Sequence, residues 1–280
     1  MSPEPSGAPE VSWLGGPIDA RALFAPELAA LVATLRVLTP ADWSRTATGH
    51  WTVHAVAAHV LGDCLGRLGH NHRGGFGEGE TVEAFIHRTN QQWVDRHADT
   101  SPASLIDDLA AAGDRLARRF ATADLHETAT GVSWAGVDPA PAWLDIAREF
   151  TEYWTHRQQI RHATGHTTDP EPRALDTALD TFMRALPHTL RFTSAPTGTQ
   201  IDVIAEGAVS GSWTATARAD RWSPAEAPNG RPSAVVMMDA ETLWRLATRD
   251  IDPADALARA RVQGDRRLAA AACQIVSIVP

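Results

Sequence analysis

Two separated segments of this sequence carry side chains that could bind one metal ion. Glu152 and His156 lie four positions apart, so in a helix both side chains project from the same face. His59 lies in an apolar stretch earlier in the chain, between Val56 and Leu61. A carboxylate and two imidazoles in apolar surroundings each need a polar partner, and one bound cation would satisfy all of them.

Two histidines and a glutamate form a ligand set found in catalytic zinc sites, where a fourth position stays open. Helices of a bundle that direct carboxylates and imidazoles inward are a known way to build such a site. A core histidine bonded to a buried carboxylate would also explain the pattern, because Glu-x-x-x-His occurs in many helices. The sequence predicts a divalent ion, Zn²⁺ in the first instance, held by His59, Glu152 and His156, with the core hydrogen bond as the alternative.

Residues that flank these ligands are candidates for supporting roles. Asp63 follows His59 by four positions and therefore shares its helix face. It could orient the imidazole, shuttle a proton or act as an extra ligand, or it could be an ordinary exposed aspartate. We take Asp63 as a candidate catalytic residue. Cys64 lies one step off that face and is predicted to be a buried, inert thiol. Glu149 is predicted to be a carboxylate on the helix surface.

The segments that position these residues have helical periodicity and capping signals. The predicted helices span residues 27–38, 52–68, 81–97, 101–120, 142–162 and 175–190. His59 lies on the second of them, and Glu152 and His156 lie on the fifth. A glycine-rich loop, residues 69–79, follows the second helix rather than a strand, which argues against a dinucleotide-binding loop.

The periodicity changes after about residue 195. Residues 199–206 and 212–217 alternate and 233–238 form an apolar run, which predicts strands, with short helices at 240–248, 253–259 and 265–273. Helices followed by a mixed sheet predict an α+β protein of two domains, a helical bundle at 20–192 and a small α/β domain at 196–280. Residues 1–19 are predicted to be a flexible tail and not a signal peptide.

The composition argues against several classes of binding partner and cofactor. The net charge of −9 offers no basic face for nucleic acid, and no apolar stretch approaches the roughly 18 residues of a membrane helix. The sequence contains no lysine, which excludes Schiff-base chemistry and a Walker phosphate loop. Two distant cysteines suit a reducing cytoplasm. We expect a cytoplasmic monomer or homodimer that binds small molecules.

Two stretches resemble a known enzyme family. GHWTVHAVAAHVLGD, at 49–63, resembles the tryptophan-led start of the first metal helix in mycothiol-dependent maleylpyruvate isomerases, and DIAREFTEYWTHRQQIRHATG, at 145–165, resembles their second metal segment. The resemblance implies a DinB-like up-and-down helical bundle in which His59, Glu152 and His156 hold zinc. Residues 240–270 resemble the small sterol-carrier-like α/β domain that follows this bundle.

The resemblance also implies a chemistry. The metal would hold mycothiol, the low-molecular-weight thiol of actinobacteria, as a thiolate that adds to a cis double bond or is transferred to an electrophile. An arginine of the second domain would bind an anionic substrate or thiol, and of Arg245, Arg249, Arg266 and Arg267 we take Arg249 as the candidate. Two alternatives remain: a metal-dependent hydrolase or biosynthetic enzyme that uses bound water, and a hydrophobic-ligand carrier.

Overall fold

The chain is helical in its N-terminal part and carries a sheet in its C-terminal part. The computed structural model describes residues 12–70, 74–207, 209–225 and 230–278. The predicted α+β class is confirmed. The helices are α1 (Phe24–Arg36), α2 (Val53–Arg67), α3 (Val82–Arg96), α4 (Pro102–Ala121), α5 (Ala142–Ala163), α6 (Pro172–Met183), α7 (Leu186–Thr189), α8 (Ala240–Ala247), α9 (Pro253–Arg259) and α10 (Arg266–Ala272).

Short strand pairs accompany the helices, and longer strands form the C-terminal sheet. The strands are β1 (Thr46–Thr48), β2 (Trp51–Thr52), β3 (Thr128–Ala129), β4 (Ala140–Pro141), β5 (Gln200–Glu206), β6 (Gly211–Ala217), β7 (Trp222–Ala225), β8 (Ala234–Asp239) and β9 (Arg261–Gly264). None of the helices in the described part of the chain is long and apolar enough to cross a membrane.

The described residues form two compact units. The bundle unit comprises Arg21–Ala123 and Glu149–Asp169. The sheet unit comprises the described residues up to Ala20, Asp124–Arg148, and the described residues from Pro170 onward. This grouping differs from the predicted boundary near residue 195. The reason is that α6 joins the sheet: the Trp213 indole nitrogen donates to Oδ1 of Asp180 over 3.0 Å.

The core of the bundle unit joins α1, α4 and α5. The ring of Phe24 lies 4.5 Å from that of Phe120 and 6.0 Å from that of Phe150, between centroids. Beside them, the buried guanidinium of Arg157 donates to both carboxylate oxygens of Glu27, over 2.6 and 2.9 Å. Pairing in this geometry is what allows two charged groups to remain inside a bundle.

Helix α2, which carries His59, is fixed at its start and along its length. The hydroxyl of Thr52 accepts a hydrogen bond from the backbone N–H of Ala55, which confirms the predicted N-cap. Helix α3 packs against α2 at Gly62, where an added Cβ would lie 2.7 Å from the indole nitrogen of Trp93. That nitrogen donates to the carbonyl of Ala58 over 2.7 Å, so the indole lies directly on the helix.

The sheet unit contains a five-stranded mixed sheet in the order β7-β6-β5-β8-β9. Strands β5 and β8 are parallel, and the other neighbours are antiparallel. Ile201, Val203 and Ala205 of the central strand are buried. Strands β7 and β9 were not predicted: β7 is short and contains Pro224, and β9 is an exposed edge strand without apolar alternation.

The N-terminal residues differ from the predicted flexible tail where the structure describes them. Leu14 is fully buried and Ile18 is nearly so. The carbonyl of Leu14 accepts a short hydrogen bond from the guanidinium of Arg184. The remainder of the predicted tail, residues 1–11, lies outside the described residues.

Candidate metal centre

Helices α2 and α5 bring the three candidate ligands together. Nε2 of His59 and Nε2 of His156 each lie 3.1 Å from the same oxygen, Oε1 of Glu152. One donor atom from each residue lies within 4.8 Å of the others. A tetrahedral zinc ion spaces its nitrogen and oxygen ligands by about 3.3 Å, because the bonds are about 2.0–2.1 Å long. The two distances to Glu152 match this spacing, whereas donor atoms as far apart as 4.8 Å would have to move closer together around a bound ion.

The site is buried on one side and open on the other. His59 is 4% exposed, whereas Glu152 and His156 are half-buried. Burial alone would raise the pKa of Glu152, but hydrogen bonds to His156 and His59 outweigh it and hold that pKa below its ordinary value. The carboxylate is therefore ionised at neutral pH, as a metal ligand must be.

Asp63 also faces this point. Its Oδ2 lies 3.3 Å from Nε2 of His59, and its side chain is 11% exposed. The alternative of an exposed helix aspartate is therefore wrong. Because the contact is to Nε2, Asp63 lies on the side of the ring where a metal ion would bind, and it does not orient the imidazole through Nδ1. Two carboxylates beside two imidazoles form a donor set whose charge suits a divalent cation.

Glu149 is buried, which corrects the prediction of a surface carboxylate. It is 3% exposed. Its Oε2 accepts from Nε of Arg67 over 2.7 Å, and its Oε1 accepts from the hydroxyl of Tyr153 over 2.6 Å. Charge pairing and a second hydrogen bond explain how the carboxylate is accommodated. Cys64 is fully buried beside them, and burial raises the pKa of its thiol, which agrees with the predicted inert cysteine.

Trp51, the tryptophan that leads the first metal-helix motif, is a further residue of the site to which the sequence analysis assigned no role. Its ring centroid lies 4.9 Å from that of the His59 imidazole, with the planes tilted by 45°. Its indole N–H donates to Oε1 of Gln91 over 2.9 Å, which fixes the ring from α3. The indole thus covers one face of a candidate ligand. Its position directly before the N-cap of the metal helix is the signal that could have indicated it.

The helices that carry this site match a known domain family. Residues 24–161 match the mycothiol maleylpyruvate isomerase N-terminal domain. Through these residues the chain belongs to that family. The matched range includes His59, Asp63, Glu152 and His156, so all four lie in the isomerase-type domain. The resemblance inferred from the sequence is confirmed.

One solved structure shows the same fold, and a second is similar over the same share of the chain. A histidine-to-alanine variant of the mycothiol-dependent maleylpyruvate isomerase is similar over 84% of this chain and 90% of that chain, with 16% identity and a TM-score of 0.51. The crystal structure of the mycothiol-dependent maleylpyruvate isomerase covers the same shares at 16% identity, with a TM-score of 0.48. No curated protein matches the chain significantly.

Arg249 of this isomerase-family chain belongs to the sheet unit, whereas the three candidate ligands belong to the bundle unit. It has a left-handed backbone (φ 59°), which is rare for a residue with a side chain. Its Nη2 donates to the carbonyl of Gln274 over 2.9 Å, and among the described residues its buried Nη1 has no hydrogen-bond partner. Burial lowers the pKa of this guanidinium, against the opposing charge of Asp252.

Proposed function

We propose that this chain is a metal-dependent enzyme that activates mycothiol for reaction with a small electrophilic substrate. The reaction would be cis–trans isomerisation of that substrate or S-transfer to it. The observation that carries the proposal is the convergence of His59, Glu152 and His156 on one point. Membership of the mycothiol maleylpyruvate isomerase family supports the choice of thiol. The ligand set supports Zn²⁺ as the ion.

Each residue of the site is assigned one role in this reaction. A divalent ion held here would stabilise a thiolate near neutral pH. Asp63, whose carboxylate lies 3.3 Å from Nε2 of His59, is the group we assign to accept the thiol proton. Trp51 covers the face of His59 and keeps water from that side of the imidazole. The proton held on Asp63 can return when the thiol is released.

We assign Arg249 to bind an anionic group of the substrate or thiol. A guanidinium binds a carboxylate through two parallel hydrogen bonds. The assignment is supported by the desolvation of Arg249 and by its Nη1, which has no partner in the part of the chain that the structure describes. It lines a pocket of about 660 Å³ together with Asp252, Leu257 and Gln274.

The chemistry of isomerisation follows from a reversible addition. The thiolate adds to one carbon of an activated cis double bond, and the electron pair of that bond moves onto the activating group. The former double bond, now single, rotates, and elimination of the thiolate restores it as the trans isomer. S-transfer stops after the addition: the carbanion takes up the proton held on Asp63, and the thiol is consumed. The two outcomes are distinguished by measuring free thiol, because an isomerase leaves its concentration unchanged and a transferase consumes one thiol in each turnover.

The carrier alternative has less support. A carrier of hydrophobic ligands needs an apolar cavity of ligand size. The larger pocket beside Arg249 is lined in part by charged residues, Asp250 and Asp252 among them, whereas the apolar cavity lined by Met183, Val203, Val236 and Leu243 in the sheet unit has a volume of about 10 Å³. That volume holds about one water molecule. A hydrolase that uses metal-bound water needs the same ligands, and only a binding experiment separates it from the thiol enzyme.

Cobalt substitution tests the proposal. Protein loaded with Co²⁺ is titrated with mycothiol and followed by absorption in the near ultraviolet. A sulfur-to-cobalt charge-transfer band that saturates with the thiol is expected. The His156→Ala variant, lacking a ligand, is the control and should give no band. Absence of the band in cobalt-loaded wild type would favour the hydrolase, and mycothiol-independent turnover would agree with it.

A further inference from the structure

His156 is held on the side opposite to Glu152 by an amide group. Its Nδ1 lies 2.8 Å from Oε1 of Gln159, which is three residues further along α5. An amide oxygen only accepts hydrogen bonds, so Nδ1 must donate. With Nδ1 donating to the amide, a ring that is neutral carries its lone pair on Nε2, which is the state that can bind a metal ion; with no ion bound, Nε2 must carry a hydrogen to donate to Glu152. Nε2 is the atom that faces Glu152, at 3.1 Å from its Oε1.

The amide is itself held in place from outside the helix. Nε2 of Gln159 donates to the hydroxyl of Thr48 over 3.2 Å. Gln159 itself is only 6% exposed. Thr48 is the last residue of β1, and β1 pairs with β2, which leads directly into the N-cap of α2. The short β1–β2 hairpin therefore links the start of one ligand-bearing helix to the imidazole on the other.

We infer that Gln159 is the positioning residue for His156, which makes Nε2 the atom that donates to the metal. This inference rests on the metal site of the proposed function. The opposite tautomer would place a hydrogen on Nε2, where it would block coordination. A group that fixes the tautomer and ring orientation of a ligand histidine typically contributes about 10- to 100-fold in metal affinity. Gln159 supplies both constraints because Thr48 holds its amide.

Two substitutions of Gln159 separate this role from simple packing. Gln159→Leu keeps the approximate volume and removes the acceptor, and Gln159→Glu keeps an acceptor for the N–H of Nδ1. Zn²⁺ affinity is measured on the full chain by competition with a chromophoric chelator. Gln159→Leu is expected to bind Zn²⁺ about 10- to 100-fold more weakly than wild type, and Gln159→Glu is expected to retain the affinity.

A second measurement reads the imidazole itself. In Zn²⁺-loaded protein labelled with ¹⁵N, the ring nitrogens of His156 report which of them is protonated. Wild type is expected to show a protonated Nδ1 and a metal-bound Nε2, and the hydrogen on Nδ1 is expected to exchange with water faster in Gln159→Leu. Thr48→Val removes the hydroxyl that holds the Gln159 amide and changes no residue of α5. It is expected to weaken Zn²⁺ binding, as Gln159→Leu does, and it replaces that variant if Gln159→Leu fails to fold.

The outcomes are distinct. Unchanged Zn²⁺ affinity in a folded Gln159→Leu variant, or an unprotonated Nδ1 in Zn²⁺-loaded wild type, overturns the role of Gln159 and leaves the metal site standing. Failure of wild type to bind Zn²⁺ overturns the proposed function and, with it, the metal-directed role of Gln159. Weaker binding in Gln159→Leu together with rescue in Gln159→Glu supports the inference, because a packing defect would affect both variants.

Discussion

Oδ2 of Asp63 lies 3.3 Å from Nε2 of His59, the same nitrogen that Oε1 of Glu152 contacts at 3.1 Å. Both carboxylates therefore face the imidazole nitrogen that we propose as the metal ligand. Glu152 also contacts His156, which makes it a shared partner of both rings. Asp63 contacts the ring of His59 and is placed to exchange a proton with a group bound beside it.

Asp63→Asn is expected to separate catalysis from metal binding. The variant keeps the three candidate ligands but loses the proton acceptor, so turnover should fall by about 10²- to 10⁴-fold while the metal is retained. Steady-state rates with mycothiol and metal content per chain are measured on the same preparation. Wild-type turnover in this variant would remove Asp63 from the mechanism, and loss of the metal would make it a ligand instead.

Both cysteines are expected to be unreactive in the folded protein. Cys64 is fully buried and Cys273 is 2% exposed. Burial raises the pKa of Cys64, and it raises the pKa of Cys273 to about 11. A raised pKa leaves little thiolate at pH 8, and the thiolate is the species that reacts. Iodoacetamide should label neither cysteine in native protein and both in denaturant, as read by mass spectrometry; rapid native labelling of Cys64 would contradict this placement.

A pair of glycine substitutions tests the packing of α3 on the metal helix. In Gly62→Ala the new Cβ would lie 2.7 Å from the Trp93 indole, which would have to leave its hydrogen bond to Ala58. Overpacking of this kind costs about 1–3 kcal/mol, so the melting temperature should fall.

Gly113→Ala in α4 is the matched control. The three atoms nearest to its Cβ all belong to the side chain of Leu28, at 3.3–3.4 Å, so Leu28 has to shift by only a few tenths of an ångström. Alanine favours a helix over glycine by about 1 kcal/mol, which offsets that shift, so this variant should melt close to the wild-type temperature and above Gly62→Ala. A Gly62→Ala variant as stable as Gly113→Ala would show that α3 does not pack on α2 in this way.

The sequence was sufficient to predict the helices that bear the ligands, and the reason is their regular apolar spacing. Thr52 signalled the start of α2, and its hydroxyl caps that helix. Strands β5, β6 and β8 were predicted from alternation or an apolar run. Strands β7 and β9 were missed because edge strands pack one face at most, and their residues show no such pattern.

The supporting contacts of the site could not be predicted, because they join residues that are distant in sequence. The burial of Glu149 depends on Arg67 from another helix, and no local pattern around Glu149 reveals that partner. Trp51 lies beside His59, and its indole is held there by Gln91 of α3, a residue 40 positions away in sequence. Gln159 had a local signal, since it lies one helical turn from His156, but its orientation depends on the hairpin.

Metal content of the purified full-length chain, beside that of His156→Ala, is the most direct test of the proposed site. Wild type reconstituted with Zn²⁺ and freed of excess is expected to hold about one ion per chain. His156→Ala should lose it, whereas His162→Ala, which removes another histidine of α5 bonded to Thr168, should keep it. A wild-type chain without bound metal, or a His156→Ala variant that retains its ion, would contradict the three-ligand site.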